Sequence, residues 1–95
     1  MKIVREFILR DIAGEYILVP TGATTDFFNG MITISESAKF IWENIEKTES
    51  LDELVKMMLE EYNIDEKTAR QDCMEFVAQL LGAGFVECTR EDKRW

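Results

Sequence analysis

Carboxylates and thiols are the side chains of this sequence that could do chemistry. The chain has 19 acidic residues and two cysteines, Cys73 and Cys88, but no histidine. Without histidine, the Ser–His and Cys–His pairs of nucleophilic enzymes are excluded, and a structural zinc site lacks its usual ligands. The cysteines belong to no Cys-x-x-Cys motif, and the apolar neighbours of Cys73 favour a small core side chain over a reactive thiol.

Acid–base catalysis by paired carboxylates is the remaining enzymatic interpretation. Glu60-Glu61 and Asp65-Glu66 lie at predicted helix ends and surfaces, where carboxylates usually face solvent or interact with the helix dipole. A catalytic carboxylate needs a pocket that shifts its pKa, and no pattern in the sequence indicates one. We therefore expect a protein that is not an enzyme and that holds no metal and no cofactor.

Length and charge limit the other functions. The 95 residues are enough for one domain, residues 1–95, with a modest core. The net charge of −8 disfavours nucleic acid and anionic membranes, because both attract basic surfaces, whereas a basic or neutral peptide is an acceptable partner. The charged N-terminal stretch does not resemble a signal peptide, and no apolar run reaches the roughly 20 residues of a membrane span. We expect a cytoplasmic protein.

The N-terminal third of the chain has the pattern of an antiparallel sheet. Ile3–Ile12 and Glu15–Pro20 are rich in β-branched and aromatic residues, and they flank a turn at Ala13-Gly14. Glu15–Pro20 has apolar residues on both faces, which predicts a central strand. Asp26–Ile34 supplies a third strand, with a short turn around Asn29-Gly30.

The apolar spacing then becomes helical, and it predicts three helices before a short last strand. The first helix begins near Ser35. Ser50 and Glu53 form a capping box that opens the second helix. Asp65 is the expected N-cap of the third helix, and Gly82 and Gly84 are expected to end it.

These elements predict an α+β fold of the winged helix-turn-helix-like type. Its parts are a three-stranded antiparallel sheet in residues 1–34, three helices in residues 35–84, and a short strand with a solvated tail in residues 85–95.

Winged helices often bind DNA, so a transcription regulator is one functional hypothesis. A recognition helix needs Lys, Arg, Asn or Gln aimed at bases and phosphates. The third helix has Lys67 and Arg70 but also four acidic residues at positions 65, 66, 72 and 75. The fold is compatible with this function, but the charge is not.

Recognition of a peptide or protein is the second hypothesis. Met31–Ile34 has no proline and no charge to discourage pairing, so an extended peptide could add to it as a further strand. The third helix has more apolar residues than one narrow stripe requires, which leaves open whether some face a groove. A protein–protein adaptor could use the same surface, and an exposed edge permits either a monomer or a strand-mediated dimer.

Three segments resemble the PqqD-like family, the recognition elements for precursors of ribosomally made, modified peptides. "LRDIAGEYILVP" (Leu9–Pro20) resembles the family's N-terminal hairpin. "FNGMITISESAKFIWENI" (Phe28–Ile45) is similar to its strand-to-helix segment, with Ile34-Ser35 in place of the usual Leu-Asn. This change preserves an N-cap. "SLDELVKMMLEEYNIDEKTARQDCMEFVAQLLGAGFVE" resembles the remaining half.

The resemblance implies a non-catalytic peptide chaperone of natural product biosynthesis. It would bind the leader segment of a precursor peptide and present the peptide to a modifying enzyme, commonly a radical S-adenosylmethionine (SAM) enzyme. In the family the leader docks on the third strand, in a groove shared with the third helix. The residues implied on this chain are, on the strand side, Phe28, Met31, Ile32, Thr33 and Ile34, and on the helix side Ala69, Asp72, Cys73, Phe76, Val77 and Leu80.

Overall fold

The computed structural model describes residues 1–28, 30–93 and 95. Within them it has five strands and three α-helices, together with two short 3₁₀ helices. The elements are β1 (Lys2–Ile3), β2 (Phe7–Ile12), β3 (Glu15–Pro20), a 3₁₀ helix (Gly22–Asp26), β4 (Ile32–Ile34), α1 (Glu36–Asn44), a 3₁₀ helix (Ile45–Lys47), α2 (Leu51–Glu61), α3 (Glu66–Ala83) and β5 (Val86–Glu87). The predicted α+β class and its order of strands and helices are confirmed.

A two-residue turn sets the register of the main sheet. Ala13 and Gly14 both have positive φ, 53° and 84°, as a type I′ hairpin turn requires. The turn connects β2 to β3, and these two strands pair. β3 also pairs with β4, so the strand order is β2-β3-β4 and both pairs are antiparallel. The prediction that β3 is the central strand is confirmed.

The third predicted strand is shorter than its pattern indicated. The 3₁₀ helix Gly22–Asp26 ends at the first residue of that segment, and β4 begins only at Ile32. The 3₁₀ helix is fixed because the Oγ1 atom of buried Thr24 accepts a 2.7 Å hydrogen bond from the Glu6 N–H. The predicted turn at Asn29-Gly30 involves Asn29, which is outside the described residues.

The first and last predicted strands also differ from expectation. The first one divides, because β1 pairs with β5 in a separate two-stranded sheet while β2 pairs with β3. The C-terminal tail was expected to be solvated, but Trp95 packs against the core. Asp92 accepts a hydrogen bond from the N-terminal ammonium group, and the Lys93 N–H donates to the Glu49 carbonyl at 2.7 Å.

Local signals explain most of the helix ends. The hydroxyl groups of Ser35 and Ser50 accept hydrogen bonds from backbone N–H groups in the first turns of α1 and α2, both at 3.2 Å. Asp65 takes the N-cap position of α3. Gly84 ends α3 in the left-handed conformation, with φ of 76°, whereas Gly82 lies inside the helix and does not end it.

The core lies between one face of the main sheet and the three helices. Leu18 of β3 and Ile34 of β4 are buried against Ile41, Leu54 and Met58 from α1 and α2. Trp42 of α1 is buried too. No described helix has the length and the apolar composition that a membrane span requires.

Candidate functional site

The outer edge of β4 is open in the described part of the chain. β4 is the last strand of the main sheet, and only β3 pairs with it. An unpaired edge offers backbone N–H and C=O groups to an incoming strand.

The register of the sheet identifies the residue that offers these groups. The turn closes on a hydrogen-bonded pair, Ile12 and Glu15, and hydrogen-bonded pairs then alternate along β2 and β3. The 3.0 Å bond from the Thr21 N–H to the Glu6 carbonyl fits this alternation. The backbone groups of β3 residues 15, 17 and 19 are therefore directed at β2, and those of residues 16 and 18 at β4.

The alternation of hydrogen-bonded and non-hydrogen-bonded residue pairs continues between β3 and β4. Residues 16 and 18 lie opposite Ile34 and Ile32, whose backbone groups are therefore used within the sheet. Thr33 lies opposite Ile17 in a pair without hydrogen bonds, so its N–H and C=O are directed at the open edge. Thr33 is thus the β4 residue that a further strand would pair with.

A groove of about 230 Å³ lies beside this edge. We call it the β4–α3 groove. It is lined by Ile32, Thr33, Ile34, Ser35, Ser37, Ala38, Asp72, Glu75, Phe76 and Gln79. The α3 residues among them follow the i, i+3, i+4, i+7 spacing of one helix face. An open strand edge and a helix face therefore form the two walls of one groove.

Five of the eleven residues predicted for the site line this groove. They are Ile32, Thr33, Ile34, Asp72 and Phe76. Thr33 is exposed, Phe76 is partly buried against the core, and Ile34 is 8% exposed. The backbone of Thr33 and part of the Phe76 side chain are therefore accessible from the groove.

Four other predicted residues lie in the core beneath the groove. Ala69, Cys73, Val77 and Leu80 are at most 5% exposed. Burial, with a smaller contribution from the nearby Asp72 carboxylate, raises the pKa of the Cys73 thiol to about 11. Cys73 is therefore a neutral thiol at physiological pH, and it supports the helix wall from behind.

The last two predicted residues, Phe28 and Met31, lie just before β4. Phe28 stacks in an aromatic cluster, with ring centroids 6.3 Å from Phe7 and 5.9 Å from Phe85. Met31 is 68% exposed and lies next to the start of β4. Phe28 thus anchors the segment that leads into the strand, and Met31 leaves a flexible apolar side chain beside the open edge.

Sequence reasoning did not include five residues of the groove. Ser35 is the N-cap of α1, Ser37 and Ala38 lie in its first turn, and Glu75 and Gln79 come from α3. The α3 pair had a usable signal, because positions 75 and 79 are three and seven residues after Asp72. The α1 residues had none, because their position beside the groove depends on how α1 packs against the sheet.

The groove is acidic. Asp72 and Glu75 are its charged lining residues, and no basic side chain of the described chain lines it. No group of three or more histidines, cysteines and acidic residues is arranged to hold a metal ion within residues 1–28, 30–93 and 95. The open strand edge and the helix face are suited to binding an extended peptide backbone that places alternate side chains in the groove.

Comparisons with known proteins agree with this geometry. The family model "Coenzyme PQQ synthesis protein D (PqqD)" matches residues 8–86. The solved structure "TbiB1 in Complex with the TbiA(beta) Leader Peptide" is similar to this chain, with a TM-score of 0.65 and 23% sequence identity over 92% of this chain and 95% of that one. At that identity the likeness shows a shared fold. No curated protein matches the chain.

Proposed function

The chain belongs to the PqqD family, and we propose that it is a non-catalytic chaperone that binds the leader segment of a ribosomally made precursor peptide by strand addition. The match over residues 8–86 covers the main sheet from its second residue, all three α-helices and both walls of the groove. The structural relative TbiB1 was solved with a leader peptide, which supports a leader peptide as the ligand here.

The open backbone of Thr33 beside the β4–α3 groove is the observation that carries the proposal. A leader strand that pairs with Thr33 would extend the sheet to four strands, and its alternate side chains would enter the groove. Backbone hydrogen bonds would give affinity for any extended peptide. The apolar and charged lining would select particular side chains.

Presentation to an enzyme follows from this binding mode. A leader held on β4 raises the effective concentration of the attached core peptide at a modifying enzyme that binds the same chaperone. We propose a radical SAM enzyme as that partner, because this is the common partner of free-standing family members. The chaperone itself supplies no reacting group.

A DNA-binding function has less support from the described surface. Residues 35–84 carry 12 acidic and 5 basic side chains, a net charge of −7, and they include all three helices. A helix that enters the major groove must approach phosphates, which this charge disfavours. A general protein–protein adaptor would use the same open edge, and it is distinguished by its ligand.

An amide-resolved NMR titration tests the proposal. The probes are synthetic leader segments of short peptides encoded beside the gene, with duplex DNA as a separate titrant. We expect shifts concentrated at residues 28–34 and 69–81 with micromolar or tighter affinity, and no saturable shifts with DNA. If no leader moves the β4 resonances, or if DNA does so instead, the proposal is wrong. Sedimentation of the free and bound chain would show whether the open edge also pairs two copies.

A further inference from the structure

The charged lining of the β4–α3 groove has one sign. Asp72 and Glu75 lie three residues apart on α3, so their Cα atoms are separated by about 4.5 Å along the helix axis. One long side chain of a bound strand can therefore reach both carboxylates.

Neither carboxylate has a cationic partner in the described part of the chain. Asp72 has no ion pair there, and Glu75 accepts a 3.1 Å hydrogen bond from the neutral Gln71 side chain. Arg70 is occupied elsewhere, because its guanidinium binds Asp52 at 2.8 Å and Glu66 at 3.3 Å. Lys67 is five residues before Asp72 and eight before Glu75, about 7.5 and 12 Å along the helix, and among the described residues it forms no ion pair with either.

A strand bound in the groove would cover these two groups and remove part of their water. A carboxylate that loses water without gaining a partner disfavours binding, and an acidic side chain opposite it adds repulsion. A guanidinium or ammonium group offsets both effects. The net charge of −7 on residues 35–84 acts in the same direction at longer range.

We propose, on the basis of the proposed function, that the groove selects leader segments that place one Arg or Lys against Asp72 and Glu75. Successive groove-facing residues of a strand are about 6.8 Å apart. An apolar residue two positions from the basic one then lies against the lining formed by Ile32, Ile34 and Phe76. The selected pattern is thus a basic residue and an apolar residue separated by one position.

Selection from a random 15-residue peptide library displayed on phage tests this pattern. The wild type is compared with a double variant, Asp72→Asn with Glu75→Gln, which removes both groove charges at nearly constant volume. The matched control is Glu60→Gln with Glu61→Gln, which makes the same change in net charge on exposed positions of α2. Thr33→Pro identifies peptides whose binding does not depend on the β4 edge.

We expect wild type and the α2 control to enrich peptides with Arg or Lys two positions from an apolar residue. The groove variant should enrich the apolar residue without the basic one. For one selected peptide made synthetically, the groove variant should bind about two- to fivefold more weakly, which is the range that exposed ion pairs contribute. Replacement of the basic residue by Met should weaken binding to wild type but not to the groove variant.

The outcomes separate this inference from the proposed function. If the wild type selects peptides that depend on the β4 edge but show no enrichment of Arg or Lys, the charge selection is wrong and strand addition still holds. Equal loss of affinity in the groove variant and the α2 control would also overturn it, since only net charge would then matter. A library that yields no peptide sensitive to Thr33→Pro would refute strand addition, and the charge selection with it.

Discussion

A proline at position 33 should strongly weaken leader binding while leaving the sheet intact. The register directs the Thr33 N–H at the open edge of β4, so its loss breaks no hydrogen bond among residues 1–28, 30–93 and 95. Edge strands tolerate proline on the side that faces solvent. The Thr33 side chain is exposed, so little packing is lost.

The expected loss of affinity follows from one backbone group. The lost hydrogen bond contributes about 1 kcal/mol, and the leader carbonyl left without a donor costs about 1–3 kcal/mol more. A total of roughly 2–4 kcal/mol corresponds to about 30- to 800-fold weaker binding. The proline ring also occupies the space that the leader backbone would approach, which increases the loss.

A proline one residue earlier should act on stability instead. The Ile32 backbone pairs with Leu18 inside the sheet, and the Ile32 side chain packs against the core. We expect Ile32→Pro to lower the free energy of unfolding by about 2–4 kcal/mol, through the broken ladder bond and the lost packing. Thr33→Val keeps the N–H and a branched side chain, so it should behave as wild type in both respects.

Isothermal titration calorimetry with one leader peptide, together with urea unfolding, checks all three variants. Circular dichroism and the unfolding midpoint establish that Thr33→Pro is folded. If folded Thr33→Pro binds the leader within threefold of wild type, the assignment of the open edge or the strand-addition mode is wrong. If Thr33→Pro unfolds the protein while Ile32→Pro does not, the register argument fails.

Three further predictions concern the walls of the groove and the turn. Phe76→Ala should weaken leader binding in calorimetry by about tenfold or more, because the ring supplies apolar contact area at the groove. Val77→Ala, on the buried face of α3, should lower the free energy of unfolding by about 2 kcal/mol with little effect on the affinity of the folded protein. The reverse pattern would contradict the assignment of the two faces. Ala13→Asn should raise the free energy of unfolding by about 0.5–1 kcal/mol, because alanine is strained at a φ of 53° and asparagine is favoured there. An unchanged or lower urea midpoint would count against this explanation. Burial raises the pKa of the Cys73 thiol to about 11, while Cys88 is exposed. Ellman's reagent at pH 8 should therefore label one thiol per native chain and two thiols in urea. Rapid labelling of both thiols in the native chain would show that α3 opens.

The sequence predicted the elements better than it predicted the site. Helix starts depend on neighbours three residues away, so the caps at Ser35 and Ser50 were visible as local patterns. The two-residue turn at Ala13-Gly14 is also local, and it fixes the register of β2 and β3. The docking of the C-terminal tail was not visible, because it depends on Trp95 and Asp92 meeting residues far away in the chain.

The site shows the same division between local and tertiary information. The pattern of Met31–Ile34 predicted an edge strand, and the family resemblance implied a groove between that strand and α3, where the structure has one. The family resemblance could not separate the face of α3 that lines the groove from the face that packs against the core. Phe76 and Cys73 are both apolar and three residues apart, and only the packing of α3 on the other helices buries one and leaves the other at the groove.

The sequence by itself therefore determined the fold class, the order of strands and helices, and the type of partner that the net charge permits. These depend on local backbone preferences and on composition, which a single chain displays directly. The tertiary structure decided that Thr33 carries the open backbone groups and that Asp72 and Glu75 share the groove with it. Both facts depend on sheet register and helix packing, which bring together residues about 40 positions apart.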